Sequence, residues 1–335
     1  METRKLQKVG GSTYSVSIPK EWARDHHLEA GMPIHIYPHT DGSLVVRSAA
    51  RDGGPLAATT VTLPSASTDA VTRTLRAAYA VGYDAVTLLS PDGEELAADE
   101  RRAARNLVRT MVGLSIVEET DERITVENLL DAGEVSIRQS VIQLQFTALS
   151  MHRAAIERVA RGGAAEAPAD PLDERDDEAD RLFGMLARYA NRSLVDFEEV
   201  DALAVGRPEL FDALLVARQL ERVADHAVRI GSLAARTALS DDLFAELAAL
   251  AEAAREVVET ATTAALDPSA ERAHAALDRR DRLADDARAL DQALVEASPP
   301  GACACARVLS SVVRTADCGG NIARVALRAS LRAGA

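Results

Sequence analysis

Leu220-Glu221-Arg222-Val223-Ala224-Asp225-His226-Ala227-Val228-Arg229-Ile230 decides how this chain reads. As a helix it lines up Leu220, Val223, Ala224, Ala227 and Ile230 in one apolar stripe at three- and four-residue steps. Glu221 and Asp225 then lie one turn apart on a neighbouring face. Two carboxylates at that spacing repel each other. A bound cation, Arg222 or Arg229 reaching over, or plain solvation answers that repulsion.

Outward from this stretch, the text is helical from about residue 132 onward, with segments predicted at roughly 134–161, 172–197, 206–237, 241–265, 269–296 and 300–331. The breaks are Gly162-Gly163, Pro168 and Pro171, Gly206-Arg207-Pro208, Ser240, Asp267-Pro268-Ser269 and Ser298-Pro299-Pro300-Gly301. Six helices on short loops predict a bundle. The chain also echoes itself. Asp176-x-x-x-Asp180 recurs as Asp281-x-x-x-Asp285, and Asp225 recurs as Asp317 within Thr315-Ala316-Asp317-Cys318-Gly319-Gly320-Asn321. The short loop before residue 206 predicts antiparallel neighbours, which would let Asp176, Asp180, Glu221 and Asp225 converge. Four carboxylates suit a hard cation such as Fe³⁺, Mg²⁺ or Mn²⁺. The competing expectation is a solvated groove, because Asp173 to Glu178 is acidic all round.

The string Leu220 to Ala227 resembles the signature helix of the PhoU family of phosphate-uptake regulators, with Arg229 where that family has Asn. The resemblance spans about 134–331 and implies two three-helix repeats, about 132–237 and 241–331. It implies that Asp176, Asp180, Glu221 and Asp225 hold metal, usually iron, with Mg or Mn as alternatives. In the second repeat Val313 replaces the family's Glu and Cys318 its His. Asp281, Asp285, Asp317 and Asn321 are therefore the weaker candidate site. The resemblance further implies repression of the phosphate-starvation response in concert with a phosphate ABC importer and a sensor kinase.

The first fifty residues differ. They hold six basic residues against five acidic ones, net +1, in a chain whose total is −14, so the remainder carries −15. So acidic a body repels nucleic acid, and DNA contact has to come from the N-terminal end. Residues 4–9 and 14–18 are predicted strands around Gly10-Gly11-Ser12, followed by a short helix from Lys20 to His27 behind Pro19. Residues 33–38 and 43–47 are predicted strands around Asp41-Gly42. Fifty residues with so few large apolar groups bury little core alone, which predicts an interleaved homodimer. His26 and His27 read as cap or surface residues. The run Gly10 to Trp22 and then Leu28 to Ile34 resembles the AbrB/SpoVT swapped-hairpin DNA-binding domain over residues 1–48. That resemblance places Arg4, Lys5 and Lys8 against DNA, with Lys20 and Arg24 as further candidates. Promoters of phosphate-transport genes are the expected target.

Residues 49–58 read as a linker. A small α/β domain is predicted over 57–131, with strands at 59–63, 85–89, 114–120 and 123–128 and helices at 68–81 and 97–111. It shows no glycine-rich phosphate loop, and a spacer or dimerising module is expected before a small-ligand sensor. The fold class is therefore multidomain and mainly α.

Composition limits the alternatives. Aromatics are 3% of the residues against 47% hydrophobic, so the cores are built from Ala, Leu and Val. No apolar run approaches the ~20 residues of a membrane span, and residues 1–6 show no signal-peptide core. A cytoplasmic location is the expectation, and three cysteines agree with it. Cys303 and Cys305 fall about 200° apart on a helix, so they read as small buried residues rather than zinc ligands. Glu271-x-x-His274 occurs once, whereas a di-iron site needs the pair twice. No nucleophile, base and orienting group stand together. A phosphate-responsive regulator, not an enzyme, is the reading. An adaptor whose head only dimerises and an antitoxin are its rivals. The acidic excess, with arginine and alanine in place of lysine, resembles proteins of salt-loving archaea.

Overall fold

The computed structural model describes residues 3–11, 13–38, 42–48, 56–93, 95–162, 172–195, 197–237, 239–298 and 301–334, apart from the side chains of residues 92, 197 and 198. Residues 1–54 and 55–335 form two compact units.

In the first unit, β1 (Gln7–Val9) and β2 (Thr13–Ser15) form an antiparallel pair with Lys8 opposite Tyr14. Helix α1 (Lys20–Asp25) follows Pro19, and β3 (His35–Pro38) pairs with β4 (Leu44–Arg47). The first two strands are shorter than the sequence predicts, because an isolated two-stranded ribbon has no third strand to hold its ends. His26 closes α1, and His27 turns the chain at φ 54°. Both are exposed. No described residue of this unit is buried, and Leu6, Val9, Tyr14, Val16, Ile36 and Leu44 are each at least half exposed. Ser12, Asp41 and the linker residues 49–55 lie outside the described residues.

The second unit begins with a four-stranded sheet. Strands β5 (Ala58–Thr62), β6 (Ala85–Leu89), β7 (Leu114–Glu119) and β8 (Arg123–Asn128) lie in the order β5-β6-β8-β7. β5 and β6 are parallel, and the other pairings are antiparallel. Helices α2 (Thr68–Val81) and α3 (Ala98–Thr110) cover it, burying Val71, Leu75, Leu107 and Val108 against Val86, Leu88, Ile124 and Val126. The Ser67 hydroxyl accepts from the Ala70 N–H to start α2, and Gly82 at φ +107° ends it.

The bundle follows: α4 (Ile137–Ala160), α5 (Leu172–Arg192), α6 (Phe197–Ala202), α7 (Arg207–Leu233), α8 (Asp241–Leu266), α9 (Ala270–Ala297) and α10 (Ala302–Ala333). The six long helices match the sequence expectation. The short α6 does not, since the second segment was expected to run to 197 and stops at Arg192. Arg192 turns instead to the Gly82 carbonyl, Asp84 and Glu199, which holds the chain in a bend there. Helices α4, α5 and α7 pack as one three-helix set, and α8, α9 and α10 as another. The sets meet where α7 crosses α10 and α4 crosses α8. Small side chains allow a close approach. A Cβ on Gly319 of α10 would lie 2.7 Å from Val257 Cγ1 and 2.9 Å from the Val258 nitrogen of α8.

The sheet layer is fastened to the bundle through α2 and α5. Arg188, 1% exposed, donates to the Tyr83 carbonyl at 2.7 Å and to Asp84 at 3.0 Å. Asn191 donates to the Ala80 carbonyl at 2.7 Å. The Ala80 carbonyl in the last turn of α2 and the Tyr83 carbonyl just beyond it are thus met by donors from α5.

Candidate metal centre

The predicted stripe is the buried seam of α7: Leu220, Val223, Ala224, Ala227 and Ile230 are fully buried. That fixes the rotation of α7 and sends Glu221 and Asp225 to its flank. On α5, burial of Leu172, Ala179, Leu182 and Leu186 does the same for Asp176 and Asp180. Leu172 packs on Gly231, where a Cβ would lie 2.5 Å from Leu172 Cδ1, so the start of α5 lies against the end of α7.

The four acids feel one another across this seam. Burial and then the charges of Asp180 and Asp225 push the Asp176 carboxyl up to about 6. Burial, and then Asp225, push Glu221 up to about 7, with Arg218 acting in the opposite direction and Asp180 and Asp176 adding to the rise. Asp225 is also raised, by burial and then by Asp180. The acid pairs are therefore near enough for each to disfavour the other's ionisation.

Positive charge reaches them by routes other than the expected ones. Arg218, not Arg222 or Arg229, pairs with Glu221, at 3.2 Å. Arg222 and Arg229 act on Asp225 only through their charge. Arg76 of α2 reaches Asp180 at 3.1 Å. Glu221 keeps its second oxygen, Oε2, buried and without a hydrogen-bond partner. Among the described residues, no three His, Cys, Asp or Glu side chains are drawn tightly enough together to ligate one ion. The donors are carboxylate oxygens, the kind a hard cation takes, one of them is buried and unpartnered, and burial first, then like charges, raises three of the acids above their ordinary range.

The second-repeat residues are arranged differently. Arg280 of α9 spans the seam, with Nη1 2.7 Å from Asp281 and Nε 3.0 Å from Asp317 of α10. Asp285 pairs with Arg288. Asn321 donates to Gln219 of α7 at 3.0 Å and accepts from Arg324 at 2.8 Å. A guanidinium thus stands between the two acids that a bridging cation would join.

Arg4, Lys5, Lys8, Lys20 and Arg24 are all exposed. Cys305 and Cys318 are buried, but Cys303 is exposed, which corrects the expectation for that residue. Its helix turns it away from the core that takes Cys305, in keeping with their angular separation.

Several interior groups were not anticipated. His152 of α4 is fully buried, and its Nδ1 accepts from Arg255 Nη1 of α8 at 3.1 Å, which leaves the proton on Nε2. Burial, Arg255 and His226 hold its pKa down to about 3. Nothing local marks this pair, whose members lie 103 residues apart. Arg280, directly before Asp281, was readable in principle as a neighbour of opposite charge. Arg76, 104 residues from Asp180, was not.

Comparison with known proteins adds the following. Residues 141–234 match the PhoU domain family, and residues 7–53 match the family described as antidote-toxin recognition MazE, bacterial antitoxin. No curated protein matches. Among solved structures, the phosphate transport system regulatory protein PhoU from Streptococcus pneumoniae is similar at 14% identity, over 60% of this chain and 98% of that one, with a TM-score of 0.38. No helix among the described residues is long and apolar enough to cross a membrane. The PhoU domain match thus runs from within α4 to the end of α7, and the MazE match lies in the N-terminal unit.

Proposed function

We propose that this chain is a regulator of phosphate uptake and phosphate homeostasis, not an enzyme, that acts in the cytoplasm as a DNA-binding homodimer. The observation that carries the reading is the PhoU-domain match over 141–234, which contains both acid pairs of the first seam. In this reading Asp176, Asp180, Glu221 and Asp225 hold a hard cation, iron with Mg or Mn as alternatives. When bound, the ion supplies the positive charge that the seam lacks. The chain's own residues do the rest: the α7 stripe fixes the direction of Glu221 and Asp225, Arg218 steadies one Glu221 oxygen, and the buried Oε2 waits for a positive partner.

The head completes the proposal. A unit with Leu6, Val9, Tyr14, Val16, Ile36 and Leu44 exposed leaves its apolar face to a second copy. Pairing also doubles the footprint of Arg4, Lys5, Lys8, Lys20 and Arg24, because a single head at net +1 is a weak electrostatic match for DNA. Promoters of phosphate-transport genes are the proposed target, and a phosphate ABC importer or sensor kinase the proposed partner.

Elemental analysis of the purified chain, beside Glu221→Ala with Asp225→Ala, tests the cation. Wild type is expected to carry metal, and the double variant to lose most of it while staying helical. Gel shift of the full chain on such promoters, at rising salt, tests the head. Binding that weakens steeply with salt supports the reading. No shift at low salt leaves a phosphate-importer adaptor whose head only dimerises. The match at 7–53 also favours one further reading, an antitoxin-type repressor. A toxin that co-purifies with the head would select it.

A further inference from the structure

At one end of the bundle lies a cavity of about 590 Å³. Its walls are the first turns of α4 and α7 and the last turns of α8 and α10, so both repeats contribute. Ile137, Val141, Val205, Val216, Leu266 and Ala329 make most of the lining apolar. Small-molecule sites between bundle helices have that size, about 300–1,000 Å³, and that character, apolar with a few placed polar groups. Four charged side chains also line the cavity, and each has a partner within the protein. Arg138 donates to the Leu266 carbonyl at 2.6 Å and to Asp267 at 3.0 Å. Arg332 pairs with Asp212. Glu209 accepts from the Gly206 N–H at 3.2 Å. The wall therefore needs no ion to balance it. One polar need remains. Asp212 is 8% exposed, and its Oδ1 is buried without a hydrogen-bond partner. A buried acceptor left unmet costs stability, and a donor that meets it recovers the cost.

We propose that this cavity binds an uncharged, mainly apolar small molecule with one hydrogen-bond donor, an alcohol, whose hydroxyl donates to Asp212. Its apolar part lies against the Ile137, Val141, Val216 and Leu266 walls. A carboxylate would bring a further negative charge to Asp212 and Glu209. An ammonium would bring a further positive charge to Arg138 and Arg332. Either ion would give up its hydration in an apolar space whose charges are already matched. Because the walls come from both repeats, the occupant bridges them, and by binding the folded form it stabilises the bundle. This inference does not rest on the cation reading, since Asp176, Asp180, Glu221 and Asp225 do not line the cavity.

The test uses the full-length chain in EDTA and four probes of matched length: 1-octanol, heptyl methyl ether, octanoate and octylamine. Calorimetry follows binding, and the melting temperature follows stability. Octanol is expected to bind wild type at one site and to raise its melting temperature. The ether, which lacks the donor, is expected to bind about three- to tenfold more weakly, the worth of one hydrogen bond. Octanoate and octylamine are also expected to bind more weakly than octanol. Ala265→Phe on α8 and Ala329→Phe on α10 each fill the cavity, and either should abolish binding while keeping wild-type helix content. Asp212→Ala should bind octanol and the ether alike. Glu221→Ala with Asp225→Ala should bind octanol as wild type does, which keeps this result separate from the cation reading. Octanol binding that survives in the filled variants lies elsewhere on the chain and overturns the proposal. So does tighter binding of octylamine or octanoate than of octanol, an ether equal to octanol in wild type, or no octanol binding at all.

Discussion

Glu221→Gln should stabilise the metal-free protein at pH 8. The Glu221 side chain is 12% exposed, faces Asp225, Asp180 and Asp176, and has one oxygen without a partner. Its pKa rises from an ordinary 4.5 to about 7. At about 1.4 kcal/mol per tenfold change in proton affinity, keeping it ionised costs the folded state about 3 kcal/mol before screening. Water at the open rim of the seam removes about half of that, leaving about 1–2 kcal/mol. The sign follows from proton counting. The folded state holds the proton up to higher pH than the unfolded state, so stability falls as pH climbs from 4.5 through 7 and stays lower beyond. Glutamine keeps the shape without the charge. Urea unfolding in EDTA should therefore show a gain of about 1–2 kcal/mol at pH 8, and almost none near pH 4, where the glutamate is protonated in both states. With Mn²⁺ present the order should invert, because glutamine is a poorer ligand. A variant that is less stable than wild type at pH 8 in EDTA would show that Arg218 already balances Glu221, and the reasoning would fail.

The remaining predictions concern the scaffold. Arg188→Met should cost about 1–3 kcal/mol in urea unfolding, because it strands the Tyr83 carbonyl and leaves the half-exposed Asp84 with Arg192 alone, and hydrogen exchange should speed up at the C-terminal end of α2. Gly319→Ala should cost about 1–3 kcal/mol, since its Cβ would press on the α8 backbone at 2.9 Å. Gly320→Ala, whose Cβ meets only Arg280 at 3.6 Å, should stay close to wild type, so the two melting temperatures form a controlled pair. His152 has its pKa lowered to about 3 from 6.5, so the unfolded state gains the proton first and stability is lost as pH falls below about 6.5. His152→Gln should flatten that acid limb in a pH series of urea midpoints.

The helices were legible because period is a local property. The stripe from Leu220 to Ile230 needs no knowledge of the rest of the chain, and the hydroxyl of Ser67 and the glycine at 82 mark both ends of α2 within a few residues. Helix α6 was not legible. Six residues cannot display a helical period, and the bend before it depends on Arg192 meeting Gly82 and Asp84, more than a hundred residues away. The candidate site divides in the same way. That Asp176 and Asp180 fall on one flank of α5, and Glu221 and Asp225 on one flank of α7, follows from two helical periods. Which arginines answer them does not, because Arg76 arrives from another layer. Arg222 and Arg229, neighbours in sequence, make no ion pair with Glu221 or Asp225 among the described contacts.

The difference between the two seams bears on why the first was kept as it is. A repeat can settle its acids internally, as Arg280 does for Asp281 and Asp317 with one side chain. In the first seam Asp176, Glu221 and Asp225 are all raised, and Glu221 Oε2 stays buried without a partner. Like charges left facing each other cost folding stability, and a single arginine placed as Arg280 is would reduce that cost. Groups whose ionisation is strongly disturbed concentrate at functional sites, although structural networks disturb them too. The paired repeat separates these two causes, because it shows the structural solution in the same scaffold. Grafting it should be informative: an arginine that bridged Asp176 and Asp225 would stabilise the metal-free protein and abolish cation binding together. Stabilisation with cation binding intact would mean that the imbalance at the first seam has no bearing on a ligand.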